Sequence, residues 1–385
     1  MLIARGLRRV CVAINDSADL LLAAGLVGVA AYNLAKWRED RALAQRLRAE
    51  LAKPAPAPRQ TPRVSILVAA WNEASFIERH IRSVLGLSYP NKEYILCAGG
   101  SDRTLEIARR YAGEGVVVLE QRPGEGKQRA LQRAFEVCTG EIIYLTDADC
   151  LLDDASFRRV LAPLLDGTSK ASSSGVLQPL PEQASSPFVS YQWSSQLYAC
   201  AHGPEYVTGL LGMNCAVRRE ALQQAGAFTE RVATGTDYYL AKRLLEHGAR
   251  IAHVRTGLAV TRYQECWTKY ARQQTRWLRN VSLHGVKFGA VAEVINVLRT
   301  SVLGMVMLLL PATSLWLGPA AGAAWVLAFS HACSSKLRYL AFARIMVPGS
   351  VGRPTAALAA YALGDFAIWA APLLQLLVPA WRARW

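Results

Sequence analysis

The sequence predicts an α/β domain with a mostly parallel sheet, set between apolar segments long enough to cross a membrane. Three observations carry that prediction. Between Arg63 and Asp149, β-type and helix-type segments alternate, a pattern that builds parallel strands with helices on both faces. Four successive strand ends carry polar or glycine-rich turns, which is where ligands of such sheets bind. Residues 18–35 and most of the chain beyond residue 290 are apolar, although the 385-residue chain carries a net charge of +15.

A chain of this length holds one large domain with additions. Hydrophobic residues make up 52% of it. Its Arg and Lys residues crowd beside the apolar segments, as expected near anionic headgroups. No basic patch interleaved with aromatics stands apart from those segments, so the charge points to a lipid bilayer and to no nucleic acid. The eight cysteines, at positions 11, 97, 138, 150, 200, 215, 266 and 333, form no Cys-x-x-Cys pair and no metal spacing with His. They read as small, reduced core residues.

Taken in order, residues 18–35 carry no charge beyond Asp19 and are long enough to span a bilayer. Arg5, Arg8 and Arg9 precede them and no small-residue cleavage site follows, which predicts a retained anchor over residues 1–35. Trp37, Leu43, Leu47 and Leu51 among many Arg predict an amphipathic helix on the membrane surface. It runs into the stiff linker Pro54–Pro58, so that residues 36–62 lead into the domain. Strands are expected over Val64–Ala70, Glu93–Ala98, Val116–Glu120 and Glu141–Leu145. Helices are expected over Glu78–Leu85, Thr104–Ala112 and Lys127–Val137.

The four strand ends are Trp71-Asn72-Glu73, Gly99-Gly100-Ser101-Asp102, Pro123-Gly124-Glu125-Gly126-Lys127 and Asp147-Ala148-Asp149. Together they suit a nucleoside diphosphate, with Lys127 opening a helix whose N-terminus favours phosphate. In an extended chain end Asp147 and Asp149 project the same way. Their mutual repulsion is relieved by a hard divalent cation carrying phosphate oxygens. Taken alone, the pair also fits a solvated Asp-x-Asp turn. Farther on, Gly209–Val217 suggests a strand before Arg218 and Arg219, and Thr236-Asp237 precedes the helical run Tyr238–Glu246. Asp237 could serve there as no more than a helix N-cap.

Residues 263–290 are basic and aromatic, with Tyr263, Trp267, Tyr270 and Trp277 among Arg and Lys, and predict a pair of interfacial helices. In residues 291–385, Val294–Leu315 and Ala356–Pro379 are predicted spans, and Pro319–Ser334 is a shorter third candidate. Asp365 is expected to point into the helix bundle. Arg382 and Arg384 close the chain while Lys336, Arg338 and Arg344 lie inside this block, so the charge distribution fixes no orientation.

The motifs Ala69-Ala70-Trp71-Asn72-Glu73, Gly126-Lys127, Asp147-Ala148-Asp149, Thr236-Asp237 and Gln273-x-x-Arg276-Trp277 resemble those of family 2 inverting glycosyltransferases. The nearest likeness is to the membrane-embedded branch with ceramide glucosyltransferase and the cellulose and hyaluronan synthases. The resemblance implies a GT-A fold over residues 63–262, a cytoplasmic catalytic domain and a multi-pass protein of the cell membrane. Glu73 and Asp102 would line the nucleoside pocket, Lys127 would face the diphosphate, Asp147 would contact the nucleotide and Asp149 would hold Mg2+ or Mn2+. Asp237 would be the general base, and Gln273, Arg276 and Trp277 would close over the diphosphate and the acceptor. Two departures stand out: Gly99 and Gly100 replace the acidic residue usual before the Gly-Ser turn, and Thr236 replaces a Glu before Asp237.

Transfer from a nucleotide sugar needs cations on the leaving group and a base for the acceptor hydroxyl. The expected function is therefore transfer from a nucleotide-diphosphate sugar, a UDP-sugar, to a membrane lipid. Two alternatives are a processive polysaccharide synthase working on a growing glycan and a non-catalytic membrane scaffold that binds nucleotide sugars.

Overall fold

The computed structural model describes residues 2–57, 60–113, 115–232 and 234–377, with side chains described between residues 19 and 375. Arg5, Arg8, Arg9 and Cys11 therefore lie outside the described side chains, and Pro58, Pro379, Arg382 and Arg384 lie outside the described residues. The chain opens with helix α1 (Leu2–Ala52). It continues through β1 (Val64–Trp71), α2 (Ile77–Leu85), β2 (Lys92–Gly99), α3 (Thr104–Arg109), β3 (Val116–Glu120), α4 (Gly126–Val137) and β4 (Ile142–Thr146). Then come β5 (Cys150–Leu151), α5 (Asp154–Leu165), β6 (Ala171–Ser174), β7 (Gln178–Pro179), α6 (Pro187–Ala201), β8 (Tyr206–Val207), β9 (Asn214–Arg218) and α7 (Arg219–Gln224). The last elements are α8 (Thr236–Glu246), β10 (Ile251–Val254), β11 (Val260–Thr261), α9 (Trp267–Lys287), α10 (Val291–Leu317), α11 (Pro319–Met346) and α12 (Ala357–Leu377).

Strands β1, β2 and β4 are apolar on both faces because each face is covered. Val64, Ile66 and Val68 alternate onto one side with Tyr94 and Leu96, against α2 and α5. Leu67, Ile95, Ile143 and Leu145 go to the other side, against α4, α7 and α8. Burial on both faces is the reason such strands read as continuous apolar runs. The main sheet runs β3-β2-β1-β4-β9-β6-β10-β8. Strands β3, β2, β1 and β4 are parallel, and β9 enters antiparallel to both β4 and β6. Since β1 pairs with β2 on one side and β4 on the other, the strand order reverses at β1 and β4, where a crevice opens at their carboxyl ends.

Among the described residues, three helices are long and apolar enough to cross a membrane: Asp19–Ala52, Val291–Leu317 and Ala357–Gln375. They match the expected anchor and the two longer C-terminal spans. Three expectations differ from the structure. The helix over residues 36–53 is not separate from the anchor, because α1 is continuous. Its edge Ala44 and Leu47, with Leu43 and Leu51, packs on Val189, Trp193 and Leu197 of α6 and Phe342 of α11 rather than facing lipid. The predicted interfacial pair is the single helix α9. Of the seven described cysteines, all free, Cys266 is exposed rather than in the core.

Two buried polar clusters join the apolar helices to the sheet domain. Asp365 of α12 accepts hydrogen bonds from Tyr191 of α6 at 2.5 Å, Tyr270 of α9 at 3.2 Å and Lys336 of α11 at 3.0 Å. Asp40 of α1 receives Arg338 of α11 at 2.5 Å and the Tyr198 hydroxyl of α6 at 3.0 Å. Helix α12 approaches α9 so closely that a Cβ at Gly364 would lie 2.1 Å from the Trp267 ring. Removing one partner of a buried ion pair leaves the other charge uncompensated, at a cost of about 3–5 kcal/mol. Asp365→Ala should therefore lower the unfolding free energy of the detergent-solubilised protein by about that amount. Asp365→Leu/Lys336→Met should recover most of the loss. A double variant as unstable as the single one would mean that the carboxylate does not act through Lys336.

Candidate active site

The crevice between β1 and β4 is built by loops that hydrogen-bond one another. Asn72, at a φ of 59° just past β1, accepts from the Ser101 backbone N–H at 2.7 Å. The Glu73 N–H donates to the Thr104 hydroxyl at 2.7 Å, and the Ala74 N–H donates to Asp102 at 3.0 Å. Asp102 also accepts from the Thr104 N–H at 3.0 Å and the Thr104 hydroxyl at 2.5 Å. Its carboxylate is thus committed to starting α3 and bracing the β1 loop, and these hydrogen bonds hold its pKa low against partial desolvation. This close knitting explains the missing acidic residue. A Cβ at Gly99 would lie 2.2 Å from the Gln121 carbonyl oxygen. Gly100 has a φ of 127°, and its Cβ would meet Asn72 Oδ1 at 2.2 Å. No side chain fits there.

A cleft of about 550 Å³ opens at these strand ends, lined by Trp71, Glu73, Gln121, Lys127, Asp147 and Asp149 among others. Lys127 reaches Asp147 Oδ1 at 2.5 Å. Burial works against the Lys127 charge, but Asp147, Asp237 and Asp149 outweigh it and hold the ammonium above the ordinary lysine range. Burial, then Asp147 and Glu73, pushes the Asp149 carboxyl up to about 6. Burial likewise raises Glu73, although Arg262 pairs with it at 3.3 Å. Desolvated like charges held together in this way favour an added cation.

The donor set fits a hard divalent metal. Among the described residues no group of three or more His, Cys, Asp or Glu forms a complete metal cage. A cation here would be held by Asp149, with Asp147 beside it, and by oxygens of a bound diphosphate, as magnesium-type ions commonly are.

Asp237 comes from α8, which packs on the same face of the sheet as α4. The N-cap of α8 is Gly235, with a φ of 72°, so the reading of Asp237 as a cap is corrected. It lies in the first turn, accepting the Tyr238 N–H at 2.9 Å. Gly212 leaves room for it, since a Cβ there would lie 2.9 Å from Asp237 Cβ. Asp237 shares the field of Lys127 with Asp147 and Asp149. Gln273 and Arg276 instead line a second cavity of about 630 Å³ against α9. Asp102, Asp237 and Trp277 are among the described lining residues of neither cavity.

The fold is a GT-A-type domain with a crevice at the carboxyl ends of β1 and β4. A family model described as glycosyltransferase like family 2 matches residues 62–280, and the chain belongs to that family of glycosyltransferases. Its similarity to a mannosyltransferase from Pyrobaculum calidifontis, solved with GDP-Man and Mn2+, covers 92% of this chain and 99% of that one, with a TM-score of 0.52 and 20% identity. That likeness speaks for the fold. A probable glycosyltransferase, YdaM, of Bacillus subtilis is 22% identical over 66% of this chain and 60% of its own length. A β-monoglucosyldiacylglycerol synthase of Trichormus variabilis is 38% identical over 23% of this chain and 20% of its own. A poly-β-1,6-N-acetyl-D-glucosamine synthase of Staphylococcus epidermidis is 32% identical over 25% of this chain and 24% of its own. The chain thus spans less than two thirds of each of these curated relatives.

Sequence reasoning missed four residues at the site: His80, Gln121, Arg122 and Arg262. His80 carried a signal, as it falls on the apolar stripe Ile77, His80, Ile81, Val84 of α2. Its Nδ1–H donates to the Cys150 carbonyl at 2.7 Å, directly behind Asp149, while Nε2 is buried without a partner. Burial pushes its pKa down to about 4, against the hydrogen bond to Cys150 and the charge of Asp147. As pH falls below the ordinary 6.5 the unfolded chain protonates first. The neutral-His contribution is therefore intact above 6.5 and is lost down to about 4. Between pH 7 and 4.5 the wild type should lose about 2–3 kcal/mol more unfolding free energy than His80→Gln. Parallel losses in urea titrations of the two proteins would exclude this role.

Proposed function

We propose that the protein is a metal-dependent, inverting glycosyltransferase that moves a sugar from a nucleotide-diphosphate sugar, a UDP-sugar, to a membrane lipid. It would work from the cytoplasmic side of the cell membrane as a multi-pass protein. The observation that carries this reading is the cleft at the ends of β1 and β4, where Glu73, Lys127, Asp147 and Asp149 come together and Lys127 pairs with Asp147 at 2.5 Å. In this reading those groups would serve the leaving diphosphate, and Asp237, whose charge acts on Lys127, would be the proton acceptor.

The β1 and β2 loops, with Glu73, would seat the nucleoside. Lys127 would turn from Asp147 to the diphosphate, and its charge would stabilise the departing group. Asp237 would take the proton of the acceptor hydroxyl as its oxygen bonds to the anomeric carbon and the bond to the diphosphate breaks, which inverts that centre. A divalent metal at Asp149 would add Lewis-acid neutralisation of the phosphate oxygens. Support for a lipid acceptor comes from the three apolar helices and from the cyanobacterial relative's name. The staphylococcal relative's name favours the second reading, a processive polysaccharide synthase.

Incubating the purified protein with a panel of nucleotide sugars and membrane lipid extract, then weighing the product, separates the two: one added sugar on a lipid, or a ladder of masses. No product from any donor would leave the scaffold reading. Removing divalent ions with chelator should abolish transfer, and full turnover in chelator would exclude a metal at Asp149. Asp237→Asn keeps the shape and the backbone contact but cannot take a proton. It should retain donor binding while turnover drops about 10²–10⁴-fold. Near wild-type turnover in Asp237→Asn would move the base elsewhere.

A further inference from the structure

Helix α8 is tied to the start of α10 by one carboxylate. Tyr238 and Lys242 lie four residues apart and so share a face of α8. The Tyr238 hydroxyl donates to Glu293 Oε2, and the Lys242 ammonium donates to Glu293 Oε1. The Thr208 side chain hydrogen-bonds the same carboxylate. Lys242 is buried and lies 4.7 Å from the centre of the Tyr238 ring. A buried ammonium needs a paired charge, and Glu293 supplies it.

Glu293 sits in the first turn of α10, within the apolar run Val291–Leu317. Its place is set by a tight turn from α9, in which the Ala290 N–H donates to the Gly285 carbonyl at 2.8 Å. A Cβ at Gly285 would lie 2.7 Å from Val294 Cγ2 and 3.5 Å from the Tyr238 hydroxyl. An acidic residue in a first turn is favoured by the helix dipole alone, and the dipole asks for no donors. Here donors arrive from two segments, and both of them set Asp237. Helix α8 carries it, and its carboxylate accepts the Tyr238 N–H at 2.9 Å. The loop after Thr208 backs it, since a Cβ at Gly212 would lie 2.9 Å from Asp237 Cβ.

We infer that Glu293 is a positioning residue, whose carboxylate fixes the placement of Asp237 by tying α8 and the loop over residues 208–212 to α10. The inference rests on the transferase reading above, in which Asp237 is the proton acceptor. It adds that this acceptor is referenced to a helix long and apolar enough to cross a membrane. Glu293 acts through Tyr238: a shift of its side chain turns the Tyr238 backbone, and the Asp237 carboxylate bonded there turns with it.

The test uses the full chain in detergent, with UDP-glucose, UDP-N-acetylglucosamine and GDP-mannose as donors and membrane lipid extract as acceptor. Glu293→Gln should lower kcat about 10–100-fold, the loss that a misplaced reacting group brings, and leave the donor KM within about twofold. Tyr238→Phe keeps the ring and the Lys242 pair, and should lower kcat about tenfold. In an Asp237→Asn background Glu293→Gln should add no more than about a twofold loss, because groups that act as a unit are not additive. Lys242→Met/Glu293→Met replaces the ion pair with apolar side chains. It should melt close to the wild type and yet turn over as slowly as Glu293→Gln, which separates positioning from folding. Amide hydrogen exchange over residues 236–240 should rise about tenfold in Glu293→Gln, with residues 64–70 unchanged. Wild-type kcat in Glu293→Gln, or the same fold loss with and without Asp237→Asn, overturns the inference. Wild-type turnover in the double Met variant or unchanged exchange over residues 236–240 does so too. If Asp237→Asn by itself keeps full turnover, the reading of Asp237 as base falls and this inference with it. A slow Asp237→Asn beside a fast Glu293→Gln overturns the inference alone. No product from any donor would count against the transferase reading, and the exchange result would then decide whether Glu293 holds this segment.

Discussion

The carboxylate of Asp365 determines how the two halves of this molecule are joined. It lies on an apolar helix, where a charge is costly unless paired. Its partners, Tyr191, Tyr270 and Lys336, come from three other helices. Two of these, α6 and α9, belong to the sheet domain and its edge, while α11 runs with α1 among the apolar helices. The polar demand of one side chain thus fixes the rotation of α12 and the placement of α9. Since α9 forms the wall of the second cavity and presses on the loop before Asp237, the register of the reaction space follows from a pairing well away from it.

Within the sheet domain the ruling constraint is electrostatic. Strand β4 is apolar on both faces and then delivers Asp147 and Asp149 at its end, where burial raises the cost of their charge. Lys127 and Arg262 answer part of that cost, by pairing with Asp147 and with Glu73. The remainder would favour an added cation. The site is therefore poised, because the same desolvation that disfavours the free carboxylates strengthens any metal and diphosphate they hold. Such poise has a structural condition: the strand end must not relax. His80 behind Cys150 and the loop bonds from Asn72 and Asp102 supply that rigidity.

How much of this was legible in the sequence depended on whether the signal was local. Strands β1 to β4 and helices α2 to α4 fell within a residue or two of expectation at most ends, because apolar runs and their punctuation are local. The Asp-x-Asp pair and the apolar runs were equally plain. What escaped depended on contacts distant in sequence. Leu43, Leu47 and Leu51 form a stripe that would suit a bilayer surface or a protein groove alike, and only the presence of α6 and α11 decides for the groove. Asp237 preceded a helical pattern and so could be read as a cap, whereas Gly235 takes the cap with a φ of 72°. Asp102 carried the right chemistry at the right strand end, yet its oxygens are taken up by Thr104 and Ala74. Arg262 carries no local signal, and its pairing with Glu73 spans 189 positions.

The described linings of the two cavities differ in charge. Glu73, Asp147 and Asp149 line the strand-end cleft together with Arg122 and Lys127, while the α9 cavity has no carboxylate among its described lining residues. A divalent metal and a nucleotide-sugar diphosphate carry nearly equal and opposite charges, so filling the cleft would leave the charge of its carboxylates largely in place. The loop from Thr234, which lines the α9 cavity, to Asp237 is held by Gly235 on Asn280 and by His284 on the Thr234 carbonyl, so the position of Asp237 depends on α9.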